Sequence, residues 1–240
     1  MKFEVFEYTN KGGRSYNEDN VGSRLTENGG IFVVADGLGG HSRGEVASEC
    51  VVSTILSGWQ QDNGDQSVRI NGLFEQANSA VLALQRENHT VMKSTAAVLA
   101  IKNNKAILAN SGDSRVYYFH NDTIAAYTND HSVAYKKYKA GEITRDMLGG
   151  DEDQSRLLRT LGSEDRYLPD IFSPPNLVTS GDAFLLCSDG AWEYIRDEEM
   201  LVDLLKSETT QQWTELMLLR LMERIDGEND NVSIITIKIH

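Results

Sequence analysis

Four aspartates stand where apolar runs begin or end. I-F-V-V-A, residues 31–35, runs into Asp36-Gly37, and A-I-L-A-N-S-G, residues 106–112, runs into Asp113. A-F-L-L-C-S, residues 183–188, runs into Asp189-Gly190, and Asp230-Asn231 leads into V-S-I-I-T-I at 232–237. Near the N-terminus, Asn17-Glu18-Asp19-Asn20 packs two more acids into a short polar turn. A buried strand fixes the residue at its end, so strands that share a sheet can bring several carboxylates to one rim. Like charges held close repel, and burial adds a desolvation cost. Divalent cations remove both penalties, and an all-oxygen donor set suits Mg²⁺ or Mn²⁺. Zinc fits less well, because no Cys/His cluster has ligand spacing. The competing reading of each Asp-Gly is a tight hairpin turn. Asp36-Gly37 and Asp189-Gly190 fit that reading poorly. L-G-G-H-S-R-G and then a helical pattern follow the first, and the helix-like A-W-E-Y-I-R-D follows the second. Spacing alone leaves a shared metal site and a set of independent turns both open.

The elements that must position these acids are legible in outline. Continuous apolar runs at 31–35, 95–101, 106–109, 116–119, 183–187 and 232–239 are rich in valine, isoleucine and aromatics, which favours strands buried on both faces. M-K-F-E-V-F-E-Y at the N-terminus alternates and reads as a first strand. Helical periodicity runs over 44–57, 67–88 and 211–225, each with one apolar side. Strands and helices do not alternate strictly, so helices packed outside mainly antiparallel sheets, an α+β fold, fit better than a doubly wound parallel sheet. Residues 132–165 are polar and helix-prone, and read as a flap-like surface excursion beside the site.

Bulk properties bound the function. The length of 240 residues suits one domain spanning 1–240. A net charge of −13 argues against non-specific nucleic-acid binding. No apolar run approaches the roughly 20 residues that a bilayer requires, so no membrane insertion is expected. Cys50 and Cys187 make no disulfide framework, and a reducing cytoplasm is the simplest setting. Cys187 reads as a buried strand cysteine; no C-x₅-R cradle follows it.

The sequence resembles the metal-dependent protein phosphatases of type 2C. The motifs are R-S-Y-N-E-D-N at 14–20, V-A-D-G-L-G-G-H at 34–41, A-N-S-G-D-S-R-V-Y at 109–117, N-D-H-S at 129–132, L-R-T-L-G at 158–162, C-S-D-G at 187–190 and D-N-V-S at 230–233. The resemblance implies a four-layer αββα sandwich with two central antiparallel sheets. It also implies a binuclear Mn²⁺ or Mg²⁺ centre and hydrolysis of phosphoserine and phosphothreonine by metal-activated water. By motif position Asp36 bridges both ions, the Gly37 carbonyl binds the first, and Asp189 and Asp230 bind the second. Glu18 and Asp19 act through metal-bound waters. Asp113 matches the ligand of a third, weaker ion, shared with Asp189. Arg14 corresponds to the arginine that grips the substrate phosphate; taken alone it would be an ordinary surface residue.

The chain also departs from the family. Leu38 stands where many eukaryotic members carry a histidine proposed as general acid. His41, three residues on, is read as structural or merely near the site, with a contribution to leaving-group protonation as the alternative; His131 is read as structural, and His89, His120 and His240 as incidental. Ser94-Thr95-Ala96 replaces the usual Gly-Thr-Thr, and Asp151-Glu152-Asp153 reads as a solvated acidic loop. Ending after its last strand, the chain resembles the minimal catalytic domain of bacterial members. A monomer opposing a Ser/Thr kinase is the expectation, with phosphoproteins as partners. The alternative is a non-catalytic relative that binds a kinase or phosphoprotein; the presence of Asp36, Asp189 and Asp230 favours the enzyme.

Overall fold

The computed structural model describes residues 1–39, 43–59 and 64–240. One sheet has the order β1 (Phe3–Asn10), β11 (Val232–Ile239), β10 (Ala183–Cys187), β7 (Arg115–His120), β8 (Thr123–Tyr127). The other runs β2 (Asp19–Thr26), β3 (Gly29–Gly39), β5 (Ala96–Lys102), β6 (Lys105–Ser111), β9 (Asp170–Phe172), with β4 (Met92–Ser94) on the far end of β3. The strand pairs are antiparallel.

The period-2 geometry of a strand explains the unbroken apolar runs. Along β3, Phe32 and Val34 face the other sheet and meet Tyr118, Phe184, Leu186 and Ile235 between the layers. Ile31, Val33 and Ala35 face outward onto α1 (Gly44–Gly58) and α2 (Gln66–Asn88), against Val51, Ile55, Phe74 and Ala77. The first sheet does the same. Tyr117, Phe119, Leu185 and Ile234 turn away from the sandwich onto α4 (Asp189–Trp192), α5 (Asp197–Lys206) and α6 (Thr210–Met222), whose Trp192, Met200, Trp213 and Met217 cover them. Four layers, αββα, result. Asp65 starts α2 by accepting the amides of Ser67 and Val68, and Thr209 starts α6 by accepting that of Gln212.

Two expectations change. Residues 17–20 are no mere turn, because Asp19 and Asn20 open β2, with Asp19 directly opposite Asp36. Residues 132–165 are docked as well as excursive. Their α3 (Val133–Ala140) and a 3₁₀ turn at Arg145–Met147 place Ala134, Tyr135 and Leu148 in the core beneath the first sheet's helices. In the acidic run Glu152 is exposed, while Asp151 and Asp153 are ion-paired, Lys137 Nζ lying 2.9 Å from the first and 2.7 Å from the second.

Under the site runs a buried ion pair. Arg115 donates to both carboxylate oxygens of Asp130 at 2.7 and 2.5 Å, and its guanidinium lies 3.4 Å from the centre of the Trp192 ring. Removing one partner leaves the other charge buried and alone. Asp130→Ala is therefore expected to cost about 3–5 kcal/mol of stability, read from the shift in the urea midpoint; a loss below about 1 kcal/mol, the worth of an exposed pair, would contradict the pairing.

Candidate metal centre

The strand ends of both sheets bring the acids to one rim. Asp36 lies within β3, which continues past it to Gly39 because Gly37, Leu38 and Gly39 pair with β4. Its backbone is clamped on both sides. The Asp36 amide donates to Thr95 Oγ1 at 2.9 Å, and the Thr95 amide donates to the Asp36 carbonyl at 2.8 Å. Gly37 has no room for a side chain: a Cβ there would lie 2.1 Å from the Gly44 carbonyl oxygen and 2.6 Å from that of Glu18. Asp189 opens α4 just beyond β10, and Asp113 sits in the turn from β6 to β7. Asp230 directly precedes Asn231, whose Oδ1 accepts the Glu18 amide at 2.8 Å while its Nδ2 donates to the carbonyls of Lys11 and Tyr16. One side chain thus ties the N-terminal acidic segment to the start of β11.

One oxygen each of Asp36, Asp113 and Asp189 lie within 4.8 Å of one another. Asp19 sits behind Asp36, buried, with Oδ2 accepting from Ser188 Oγ at 2.8 Å. Desolvation first, then the neighbouring carboxylates, push these groups up. Asp36 and Asp113 lie well above the usual carboxylate range, Asp189 is raised to about 7 and Asp19 to about 6. Glu193, one helical turn after Asp189, is pushed to about 9 by burial and by Asp189. Asp19 Oδ1 and Asp113 Oδ1 are buried without a hydrogen-bond partner. Clustered carboxylates, orphaned oxygens and the absence of nitrogen or sulfur donors in the group fit a hard divalent cation.

A cleft of about 370 Å³ opens over these acids. Arg14, Glu18, Gly37, Asp113, Asp189 and Asp230 line it together with Asp36, so all the acids and the arginine expected from the sequence meet there except Asp19, the buried cross-strand neighbour of Asp36. The grouping differs in detail. The tightest triad contains Asp113, whereas Asp230 is held by Arg14, whose Nε and Nη2 donate to its two oxygens at 3.0 and 2.8 Å. Glu18 reaches the centre's edge, its Oε1 accepting the Gly44 amide at 3.0 Å. His41 lies outside the described residues. His131 is structural as expected: the Gly112 amide donates to its Nδ1 at 3.2 Å, and Asp170 lies 3.2 Å from its Nε2. His120 is not incidental, because its Nδ1 pairs with Asp182 at 2.7 Å.

Sequence reading assigned no role to Thr95, Ser188, Asn231, Glu193 or Gln154. Four of these had a local signal. Asn231 adjoins Asp230, Ser188 adjoins Asp189, Thr95 stands in the Ser94-Thr95-Ala96 motif, and Glu193 falls four residues after Asp189, on the same face of a helix. Gln154 acts across a long sequence separation and had none.

The family described as Protein phosphatase 2C matches residues 10–223, and the chain belongs to that family. A serine/threonine phosphatase from Listeria welshimeri is 29% identical over 233 residues, covering 94% of this chain and 91% of that one. The protein phosphatase PhpP of Streptococcus pneumoniae is 31% identical over 193 residues, 78% of each chain. Among solved structures, the serine/threonine phosphatase Stp1 of Staphylococcus aureus superposes with a TM-score of 0.86 at 27% identity, over 100% of this chain and 96% of that one. The catalytic domain of the phosphatase PstP, solved with two manganese ions, gives 0.82 at 25% identity, over 99% of each chain. The chain is a metal-binding serine/threonine phosphatase of the 2C type. No helix among the described residues is long and apolar enough to cross a membrane.

Proposed function

We propose that residues 1–240 form one catalytic domain that removes phosphate from phosphoserine and phosphothreonine of proteins and uses Mn²⁺ or Mg²⁺. The observation that carries this is the rim of converging carboxylates with orphaned oxygens. Asp36, the Gly37 carbonyl, Asp189 and Asp230 would hold two ions, with Glu18 and Asp19 acting through water and Asp113 serving a third, weaker ion. When bound, such ions supply an activated water and offset negative charge on the phosphoryl group. The protein's part is positioning. Thr95 fixes Asp36 from both sides, Asn231 joins the segments that carry Glu18 and Asp230, and Ser188 orients Asp19.

Arg14 stands half exposed at the rim with its fork already aimed at two oxygens. That geometry transfers directly to two phosphoryl oxygens. Leu38 offers no proton, so no side chain at that position protonates the leaving hydroxyl. Tyr16, Leu38 and Leu157 give the cleft an apolar wall for the residues that flank the phosphate. The physiological role that fits is reversal of a Ser/Thr kinase, and the unpaired Cys50 and Cys187 fit a reducing cytoplasm.

With a phosphothreonine peptide, Arg14→Ala is expected to raise KM and lower kcat/KM by about 10²-fold, and Arg14→Lys to recover part of the loss, since an ammonium keeps the charge but loses the fork. Steady-state kinetics of the three proteins, with a phosphotyrosine peptide as the comparison substrate, tests both claims. Equal kcat/KM for Arg14→Ala and the unaltered protein would remove Arg14 from substrate binding. Preference for phosphotyrosine would overturn the substrate class.

A further inference from the structure

A second hollow lies behind the loops that carry Arg14 and Asp230, where the end of α6 crosses the first sheet. It holds about 320 Å³. Its polar groups are already matched within the chain. Asn10 Oδ1 accepts the Gly12 amide at 2.9 Å. Asn229 donates to the Asp230 carbonyl at 3.0 Å, and its own carbonyl accepts the Gly13 amide at 3.0 Å. The unmatched surface is apolar: Tyr8, Leu218 and Ile225 are only partly covered, and Met222 is 67% exposed. Water gains no hydrogen bond from these four, whereas one large apolar side chain would cover them.

The charge around the groove decides what flanks that side chain. The last carbonyls of α6 place partial negative charge at its mouth. Glu223, Asp226 and Glu228 follow, all exposed and none in a salt bridge among the described residues. The arginines at this end are committed elsewhere, Arg220 to Asp203 at 2.6 Å and Arg224 to Glu199 at 2.5 Å. Lys11 of the facing loop is outnumbered three to one. An apolar floor with an acidic mouth, on a chain of net charge −13, is complementary to an apolar anchor between lysines or arginines. The groove also shares a wall with the cleft. Gly12, Gly13 and Asn229 line the groove, while Arg14 and Asp230 line the cleft. The wall is thin and tightly joined: a Cβ on Gly12 would lie 2.2 Å from the Asp230 carbonyl oxygen, and one on Gly13 2.2 Å from that of Gly227. A few extended residues, at about 3.3–3.6 Å each, carry a peptide chain across it.

We propose that this groove docks a segment of the phosphoprotein substrate in which one large apolar side chain stands between basic residues. The proposal rests on the phosphatase reading above. Contacts this far from the phosphorus are the same before and during reaction, so docking lowers KM and leaves kcat unchanged.

The test uses the full-length protein with Mn²⁺ and phosphothreonine peptides that share one core. The core is assayed alone and joined through glycine and serine to three tails: phenylalanine between pairs of arginines, the same tail with alanine for phenylalanine, and the same tail with glutamates for arginines. Steady-state kinetics give KM and kcat for each. The arginine–phenylalanine tail should lower KM by about tenfold at constant kcat. The alanine tail should lose most of that gain and the glutamate tail all of it. Met222→Gln, at an exposed side chain, should reduce the gain by about threefold, and Glu223→Gln with Glu228→Gln by a similar factor. Kinetics on the core alone should stay unchanged in these variants, which certifies their fold. No gain from the phenylalanine tail, or a gain that survives both the alanine exchange and Met222→Gln, would overturn the docking site and leave the phosphatase reading standing. Absence of turnover on every peptide would overturn the phosphatase reading and the substrate role with it.

Discussion

Replacing Asp36 with asparagine is expected to lower kcat on a phosphothreonine peptide by about 10³-fold, the order seen when charge stabilisation aimed at the reacting group is removed, and at the same time to raise the melting temperature of the chelated protein. Both effects have one cause. Desolvation first, and then Asp189, Asp19, Asp113 and Asp230, push the carboxyl of the half-buried Asp36 upward. Its charge is therefore unfavourable in the protein alone and useful only toward a cation. Asparagine keeps the shape and the Thr95 clamp, which uses only the Asp36 backbone. It removes the charge that cation binding needs and the repulsion that the fold otherwise bears. At 240 residues each kcal/mol regained corresponds to about 2–4 °C. Activity of Asp36→Asn within tenfold of the unaltered protein would separate Asp36 from the chemistry. A lower melting temperature in chelator would refute the claim that the cluster is strained by its own charge.

Without added metal the protein should lose stability as pH rises from about 4 toward 7, and Mn²⁺ should restore most at the upper end. The carboxyls of Asp19 and Asp189 titrate at about 6 and about 7 in the fold, whereas carboxyls of an unfolded chain release their protons near pH 4. Between these values the folded chain keeps protons that the unfolded chain has lost. The free energy of unfolding therefore falls with rising pH, by about 1.4 kcal/mol per unit for each such group. Asp36 and Asp113, also raised by burial and by their carboxylate neighbours, add to the decline. A cation must displace these protons, so its stabilisation, about 4 kcal/mol at a thousand times its Kd, should be larger at pH 7.5 than at pH 5. Thermal unfolding at both pH values, in chelator and in Mn²⁺, gives four melting temperatures. An equal Mn²⁺ shift at the two pH values would contradict this account.

The positions of the acids were legible because each is tied to an apolar run. A run that faces both a second sheet and a helix layer has no polar positions, so Asp36, Asp113 and Asp189 stood out at the run edges, and the layered α+β fold followed from the same runs. β2 was not legible. Its sequence D-N-V-G-S-R-L-T carries glycine and polar residues because it is an edge strand, with only partial cover from α1. Local spacing could not tell which acids are nearest neighbours, since Asp113 meets Asp36 and Asp189 only after β6 and β7 are placed in different sheets. The Arg14–Asp230 pair and the Gln154–Asp113 contact span 216 and 41 residues, distances over which a single sequence carries no register. His120 looked incidental for the same reason, its partner Asp182 being 62 residues away.

The central claim is that this carboxylate rim works only with divalent cations, and phosphate release from a phosphothreonine peptide by chelator-stripped protein tests it most directly. No release above background is expected until Mn²⁺ or Mg²⁺ is added, followed by recovery of full turnover in the unaltered protein and none in Asp36→Asn. Turnover by the stripped protein at the rate of the metal-loaded one would contradict the account.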